Sequence, residues 1–200
     1  MPESRLEGDA RRAQIVEVAR GLFATGGYRA TTTRQLARAA GVSDALMYRH
    51  FESKDDVLRA VIDQGLDGFA AMREAASAGR DRPLAERLTI LGRAFLATLD
   101  AQTDLLVLFV SEHRLLADDA RLVGFIDLAA AGLGAELDAR AQDGEVRDDL
   151  DGYLTARSFM GALVAFVLLQ RALGMDRVRP VDAEDYLAGL VDLYVRGARS

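Results

Sequence analysis

Between Thr32 and Ser43 the chain starts a helix, stops it and starts another. Thr32 and Gln35 match the S/T-x-x-E/Q capping box, so a helix can begin at Thr33. Leu36 and Ala37 form its inner face, and Ala37 is small enough for a second helix to cross closely. Gly41 stands where the chain must reverse, a position that favours φ > 0. Val42 fills the corner. Ser43 can cap a second helix over about 44–50, with Leu46, Met47 and Phe51 available for burial. Two helices joined by a glycine-containing turn of about three to four residues make a helix-turn-helix, whose second helix enters the DNA major groove.

Many helical hairpins contain an Ala-x-x-x-Gly turn, so the flanks matter. Upstream, residues 11–25 place Ile15, Val16, Ala19, Leu22 and Phe23 on one stripe near the 3.6-residue period, ending at Gly26-Gly27. Downstream, Tyr48-Arg49-His50-Phe51 leads into Glu52-Ser53-Lys54. Three elements follow in order: Ala19 to Thr32 as A-x-x-L-F-x-x-x-G-Y-x-x-T-T, Leu36 to Ser43 as L-A-x-x-A-G-V-S, and Tyr48 to Lys54 as Y-x-x-F-x-S-K. On these elements the run 11–58 resembles the TetR family of bacterial transcription regulators. The resemblance covers roughly the first quarter of the chain. The rest fits in being helical and of ordinary length for the family.

The net charge of −6 conceals an asymmetry. Residues 1–54 hold nine Arg or Lys and six Asp or Glu, so +3, which leaves −9 on the remainder. This is the pattern of a modestly basic reading head on an acidic body. The chain has no cysteine, which excludes a disulfide framework, a thiolate metal site and a cysteine nucleophile. The first twelve residues lack an apolar run, so no signal peptide is expected. The longest nearly apolar stretch, 159–169, falls short of the about 20 residues a membrane span needs. The expected location is the cytoplasm, without membrane attachment.

Nothing reads as strand, and no internal repeat is present. The expected fold is all-α with about nine helices: a three-helix head over 1–54 and a six-helix body over 55–200. Ser53 with Asp56 makes another capping box, for a long helix over about 54–78 carrying Val57, Leu58, Val61, Ile62, Leu66 and Phe69 on one stripe. Further helices are expected over about 83–99, 104–116, 118–141, 150–173 and 182–196. The stretch 159–169 is apolar nearly all round, so it must be buried on every side. Together with the last helix it forms the expected four-helix interface of a homodimer, through Phe159, Leu163, Phe166, Leu169, Tyr186, Leu190 and Tyr194. The alternative is that these two helices merely close a monomer core.

The resemblance implies base contacts at the N-terminal end of the second helix, which assigns base reading to Asp44, Ala45, Leu46 and Arg49. Arg49 suits guanine as a bidentate donor or a phosphate as a clamp. Asp44 departs from the Lys or small polar residue usual in the family. A carboxylate there is stabilised by the helix dipole, by about 0.3–1 kcal/mol, and withdraws positive charge from a DNA face. Thr33, Arg34, Tyr48, His50 and Lys54 form the expected phosphate set. Lys54 is the only lysine in the chain, and it stands in a helix first turn, where the dipole disfavours a cation.

The resemblance also implies a small-molecule effector site in the middle helices. Gln102, Phe109, His113, Phe125, Tyr153, Arg157 and Met160 are the candidates, a mostly apolar set with a few polar groups. No enzyme is expected, and no metal or cofactor. The two histidines, His50 and His113, lie in different segments without metal-ligand spacing, and Gly132-Leu133-Gly134 follows no strand. The expected function is a ligand-responsive, homodimeric transcription regulator, most plainly a repressor, with double-stranded operator DNA, a second copy of itself and a small-molecule effector as partners. Two alternatives are a DNA-bound protein without effector whose body docks a protein partner, and a helical carrier with a vestigial head.

Overall fold

The computed structural model describes residues 2–69, 72, 74, 77–112 and 120–199, with side chains for 7–69, 72, 74, 77–112, 124 and 127–199. Among these residues there are nine α-helices and no strand. They are α1 (Pro2–Gly26), α2 (Thr33–Ala39), α3 (Asp44–His50), α4 (Lys54–Asp67), α5 (Leu84–Ala101), α6 (Thr103–Ser111), α7 (Ala120–Gln142), α8 (Gly152–Val167) and α9 (Ala183–Ala198). A π-helical turn, Leu168–Ala172, continues α8.

The expected long helix over 54–78 is interrupted. α4 ends at Asp67, and Gly68 and Phe69 form a turn. Gly65 and Gly68 each weaken a helix by about 1 kcal/mol relative to alanine, which makes this a natural end. Gly65 is there for packing: a Cβ on it would collide with the side chain of Leu105 on α6.

Backbone contacts divide the chain into two units, one formed by 1–67 with 104–118, the other by 68–103 with 119–200. The core of the first collects Ile15, Val16, Ala19 and Phe23 from α1, Leu36 and Ala37 from α2, and Met47 from α3. α4, expected to open the body, packs on α1 and supplies Val57, Val61 and Ile62 to this core. The ring edge of Tyr28 meets Phe23, with centroids 5.2 Å apart.

In the second unit α7 and α8 form the most extensive helix pair, and α5 packs on both α8 and α9. Asp151 and Asp182 cap α8 and α9 by accepting from Leu154 N and from Glu184 N and Asp185 N. The backbones of α7 and α8 approach closely at Gly134 and Gly152: a Cβ on Gly134 would lie 2.8 Å from Tyr153 Cα, and one on Gly152 would collide with Gly134 O. By length and hydropathy alone Gly152–Ala172 is apolar enough to cross a bilayer. Here it is the central helix of the unit, burying Ala156, Phe159, Leu163, Phe166 and Val167.

Candidate functional site

The turn forms as its residues dictate. Thr32 is the N-cap of α2 with a complete capping box: its side chain accepts from Gln35 N, and Gln35 Oε1 accepts from Thr32 N. Gly41 adopts φ +66°, and Val42 N donates to Ala37 O at 2.9 Å, closing the corner. Ser43 Oγ accepts from Leu46 N at 3.1 Å and starts α3. α1 fixes the assembly from below, with Gln14 Nε2 on Ala40 O and the Arg12 guanidinium 4.7 Å above the Phe51 ring. Met47 is buried, so the opposite side of α3 faces solvent.

That outer side carries Asp44, Ala45, Tyr48 and Arg49, all exposed, with Leu46 and His50 half-buried. Thr33 and Tyr48 hydroxyls lie 3.3 Å apart, one from each helix of the motif. Arg34 Nε stands 3.7 Å from Asp44 Oδ2, so the unusual aspartate is paired with a cation expected to meet phosphate. Both groups are exposed, and such a pair is worth about 0–1 kcal/mol, little enough for DNA to break.

Lys54 has partners within its own chain. Its ammonium donates to Tyr28 O at 2.8 Å and Thr31 O at 2.9 Å, and sits 4.2 Å from the Tyr28 ring centroid. The cation that looked misplaced in a helix first turn donates to the carbonyls of the turn ahead of α2. The same tyrosine donates its hydroxyl to Asp55. Burial, reinforced by that hydrogen bond, pushes the Tyr28 hydroxyl well above its ordinary pKa.

The second unit holds a cavity of about 350 Å³. α5 lines it with Arg87, Leu91 and Phe95, α7 with Leu128, Ala129, Gly132 and Leu133, and α8 with Phe159, Met160 and Leu163. Met72 and Arg80 complete the described lining. Of the residues expected to form an effector site, only Met160 is among them. Tyr153 and Arg157 point elsewhere: Tyr153 donates to Asp127 Oδ1 and accepts from Arg157 Nη1, at exposed positions. Gln102 is buried at the end of α5, away from this lining, and Phe109 belongs to the first unit. His113 and the Phe125 side chain lie outside the described residues. Sequence reasoning missed Arg87, although an arginine amid Leu84, Leu88 and Leu91 on an apolar helix was a visible signal of a buried charge.

Several residues expected at a dimer interface are spent within the chain. Phe159, Leu163 and Phe166 are buried in the unit's own core. The Tyr186 ring stacks on Phe166 and its hydroxyl donates to Ala162 O, while Tyr194 donates to Ser158 Oγ, so both tyrosines fasten α9 to α8. Leu190 is half-buried and Leu169 exposed. The apolar surface that remains is another stripe of the same two helices. Leu154 and Ser158 of α8 share a shallow groove with Leu193 and Gly197 of α9, and Leu154 and Leu193 are 61% and 67% exposed. A Cβ on Gly161, Gly189 or Gly197 would meet open space.

An exposed helix-turn-helix on a positively charged segment, in an all-helical chain with a second, cavity-bearing unit, defines a DNA-binding transcription regulator. Residues 15–61 match the family described as bacterial regulatory proteins, tetR family. The chain is 30% identical over 190 residues to the HTH-type transcriptional repressor KstR2 of Rhodococcus jostii (strain RHA1), covering 91% of this chain and 90% of that one. It therefore belongs to the TetR family of bacterial transcription regulators. Among solved structures it is similar to the ketosteroid transcriptional regulator KstR2 of Mycobacterium tuberculosis, at TM-score 0.72, 25% identity and 95% coverage of both chains. It is also similar to the TetR family regulator PfmR from Thermus thermophilus, at TM-score 0.74 and 28% identity, over 91% of this chain and 97% of that one.

Proposed function

We propose that this regulator is a repressor that binds a near-palindromic operator as a homodimer and leaves it when a small molecule enters the cavity of the second unit. The observation that carries the reading is the outer side of α3, exposed and free of core duties, on the part of the chain with excess positive charge. Asp44, Ala45, Leu46 and Arg49 are the base-reading set, and Thr33, Arg34, Tyr48 and His50 the phosphate set. Two such helices on a two-fold dimer read half-sites about 34–36 Å apart or a multiple of that. The cavity favours an effector over the alternative of a body that docks a protein partner, since a mostly apolar space of this size is the usual small-molecule site. Release requires that the effector bind the DNA-free form more tightly, because equal binding to both forms shifts nothing. A protein working on operator DNA acts in the bacterial cytoplasm, and no catalytic step enters this function.

Selection of bound sites from random double-stranded DNA tests the reading directly. The expected product is a palindromic consensus. Arg49→Ala should lower affinity for it by about 1–3 kcal/mol and relax preference at one position per half-site. Recovery of no consensus, or unchanged binding by Arg49→Ala, would remove α3 from the role assigned to it.

A further inference from the structure

Asp44 puts a carboxylate on a surface that has to meet phosphates. It is the first residue of α3 and lies exposed, at the end where a recognition helix meets base edges. The fold makes little use of it. Ser43, not Asp44, is the N-cap, and its Oγ accepts from Leu46 N at 3.1 Å. Among the described residues the partner of the Asp44 carboxylate is Arg34, whose Nε stands 3.7 Å from Oδ2. That separation makes an ion pair but is too long for a hydrogen bond. Both side chains are exposed, so the carboxylate keeps acceptor capacity for a donor brought from outside. The next two residues, Ala45 and Leu46, carry no polar side-chain atom. Hydrogen-bond readout at this end of α3 therefore falls to Asp44.

Duplex DNA offers a carboxylate few donors. Its phosphates are anionic acceptors. In the major groove guanine presents N7 and O6 and thymine presents O4, all acceptors, while cytosine N4 and adenine N6 are the amino donors. A carboxylate held against guanine or thymine loses water and gains no partner. The two amino groups differ in what flanks them. Adenine N6 lies between its own N7 and the O4 of the paired thymine. Cytosine N4 has the guanine O6 on one side and the C5–H of its own ring on the other. The carboxylate thus meets two repelling atoms beside adenine and one beside cytosine.

We infer that Asp44 selects cytosine at one position of each operator half-site, accepting from the N4 amino group in the major groove. Arg34 stays paired with the same carboxylate and offsets its charge beside the phosphates; two carboxylate oxygens can serve both partners at once. Selection works by exclusion as much as by attraction, because every other base leaves the anion facing more acceptors. This inference rests on α3 being the base-reading helix and names the base that one of its residues reads.

Sites selected from random duplex DNA are compared for the full-length parent, Asp44→Ala and Asp44→Asn. The parent consensus should hold a cytosine, repeated symmetrically in the two half-sites, at which Asp44→Ala shows no preference while the other positions keep theirs. Asp44→Asn, whose amide donates as well as accepts, should favour adenine there. In a synthetic operator, that cytosine is then replaced by pyrimidin-2-one, which carries hydrogen in place of the amino group. Parent binding should weaken about five- to tenfold, beyond any change seen with Asp44→Ala. A consensus identical in all three proteins, or equal losses in parent and Asp44→Ala when the amino group is removed, would overturn the assignment and leave α3 as the reading helix. Recovery of no consensus by any of the three would overturn the base-reading role of α3 as well.

Discussion

At Lys54 a single ammonium group holds the turn that leads into α2. Its contacts are the backbone carbonyls of Tyr28, Arg29 and Thr31 and the face of Tyr28. Hydrogen bonds from charged donors are worth about 1.5–3 kcal/mol, and the half-buried position reduces this. Lys54→Met should therefore lower stability by about 1 kcal/mol in urea denaturation, while the salt dependence of operator binding stays as in the parent protein. At Asp44 the expectation runs the other way. Asp44→Asn releases Arg34 for phosphate, so the slope of log affinity against log salt should steepen by up to about two for a dimer, while the lost helix-dipole interaction lowers stability by no more than about 1 kcal/mol. Tyr28 carries a pH signature. Its hydroxyl is held above the ordinary value of 10.0, so the neutral form is favoured in the folded chain. The stability it contributes is whole below pH 10 and is lost as pH rises from there through the folded-state value. Urea midpoints measured from about pH 8 to 11 should fall more steeply for the parent than for Tyr28→Phe.

Among the helices, the glycines separate packing from mere flexibility. A methyl at Gly134 meets the backbone of Tyr153 at 2.8–2.9 Å, and backbone cannot step aside as a side chain can. Gly134→Ala should force α7 away from α8 and destabilise the second unit by about 1–3 kcal/mol. Gly161→Ala points a methyl into open space and should stabilise α8 by up to about 1 kcal/mol through helix propensity. Thermal melts of the two variants side by side check the contrast. The short elements near the DNA face were legible because their signals are local: Thr32 with Gln35, Gly41, and Ser43 each act within four residues. The end of α4 was less so. The apolar stripe runs on to Phe69, and the interruption at Asp67 reflects Gly65 and Gly68 together with the close crossing at Leu105.

For the molecule as a whole, the dimer reading now rests on residues that the core leaves unused. Leu154 and Leu193 stand exposed on α8 and α9, in a groove flanked by Ser158 and Gly197. A charge there is harmless to a monomer and costly across an apolar two-fold interface. Leu193→Arg should sediment as a monomer at micromolar concentration, retain its helical signal and lose operator binding, since one head alone meets only half the site. A variant that remained dimeric would move the interface elsewhere.

The amino-acid sequence by itself determined the helical class, the position of the helix-turn-helix and the charge division between basic head and acidic body. Capping boxes, glycine turns and 3.6-residue stripes are written in neighbouring residues and need no partner to be read. Tertiary structure alone decided which aromatic residues of α8 and α9 are core, why Lys54 is occupied, and where the cavity lies. Each of these depends on contacts between residues far apart in the chain, Arg87 with Glu136, Lys54 with Tyr28, Phe166 with Tyr186. Periodicity shows that a helix has an apolar face. It does not say whether that face meets its own chain, a ligand or a second copy, because all three satisfy the same demand to leave water.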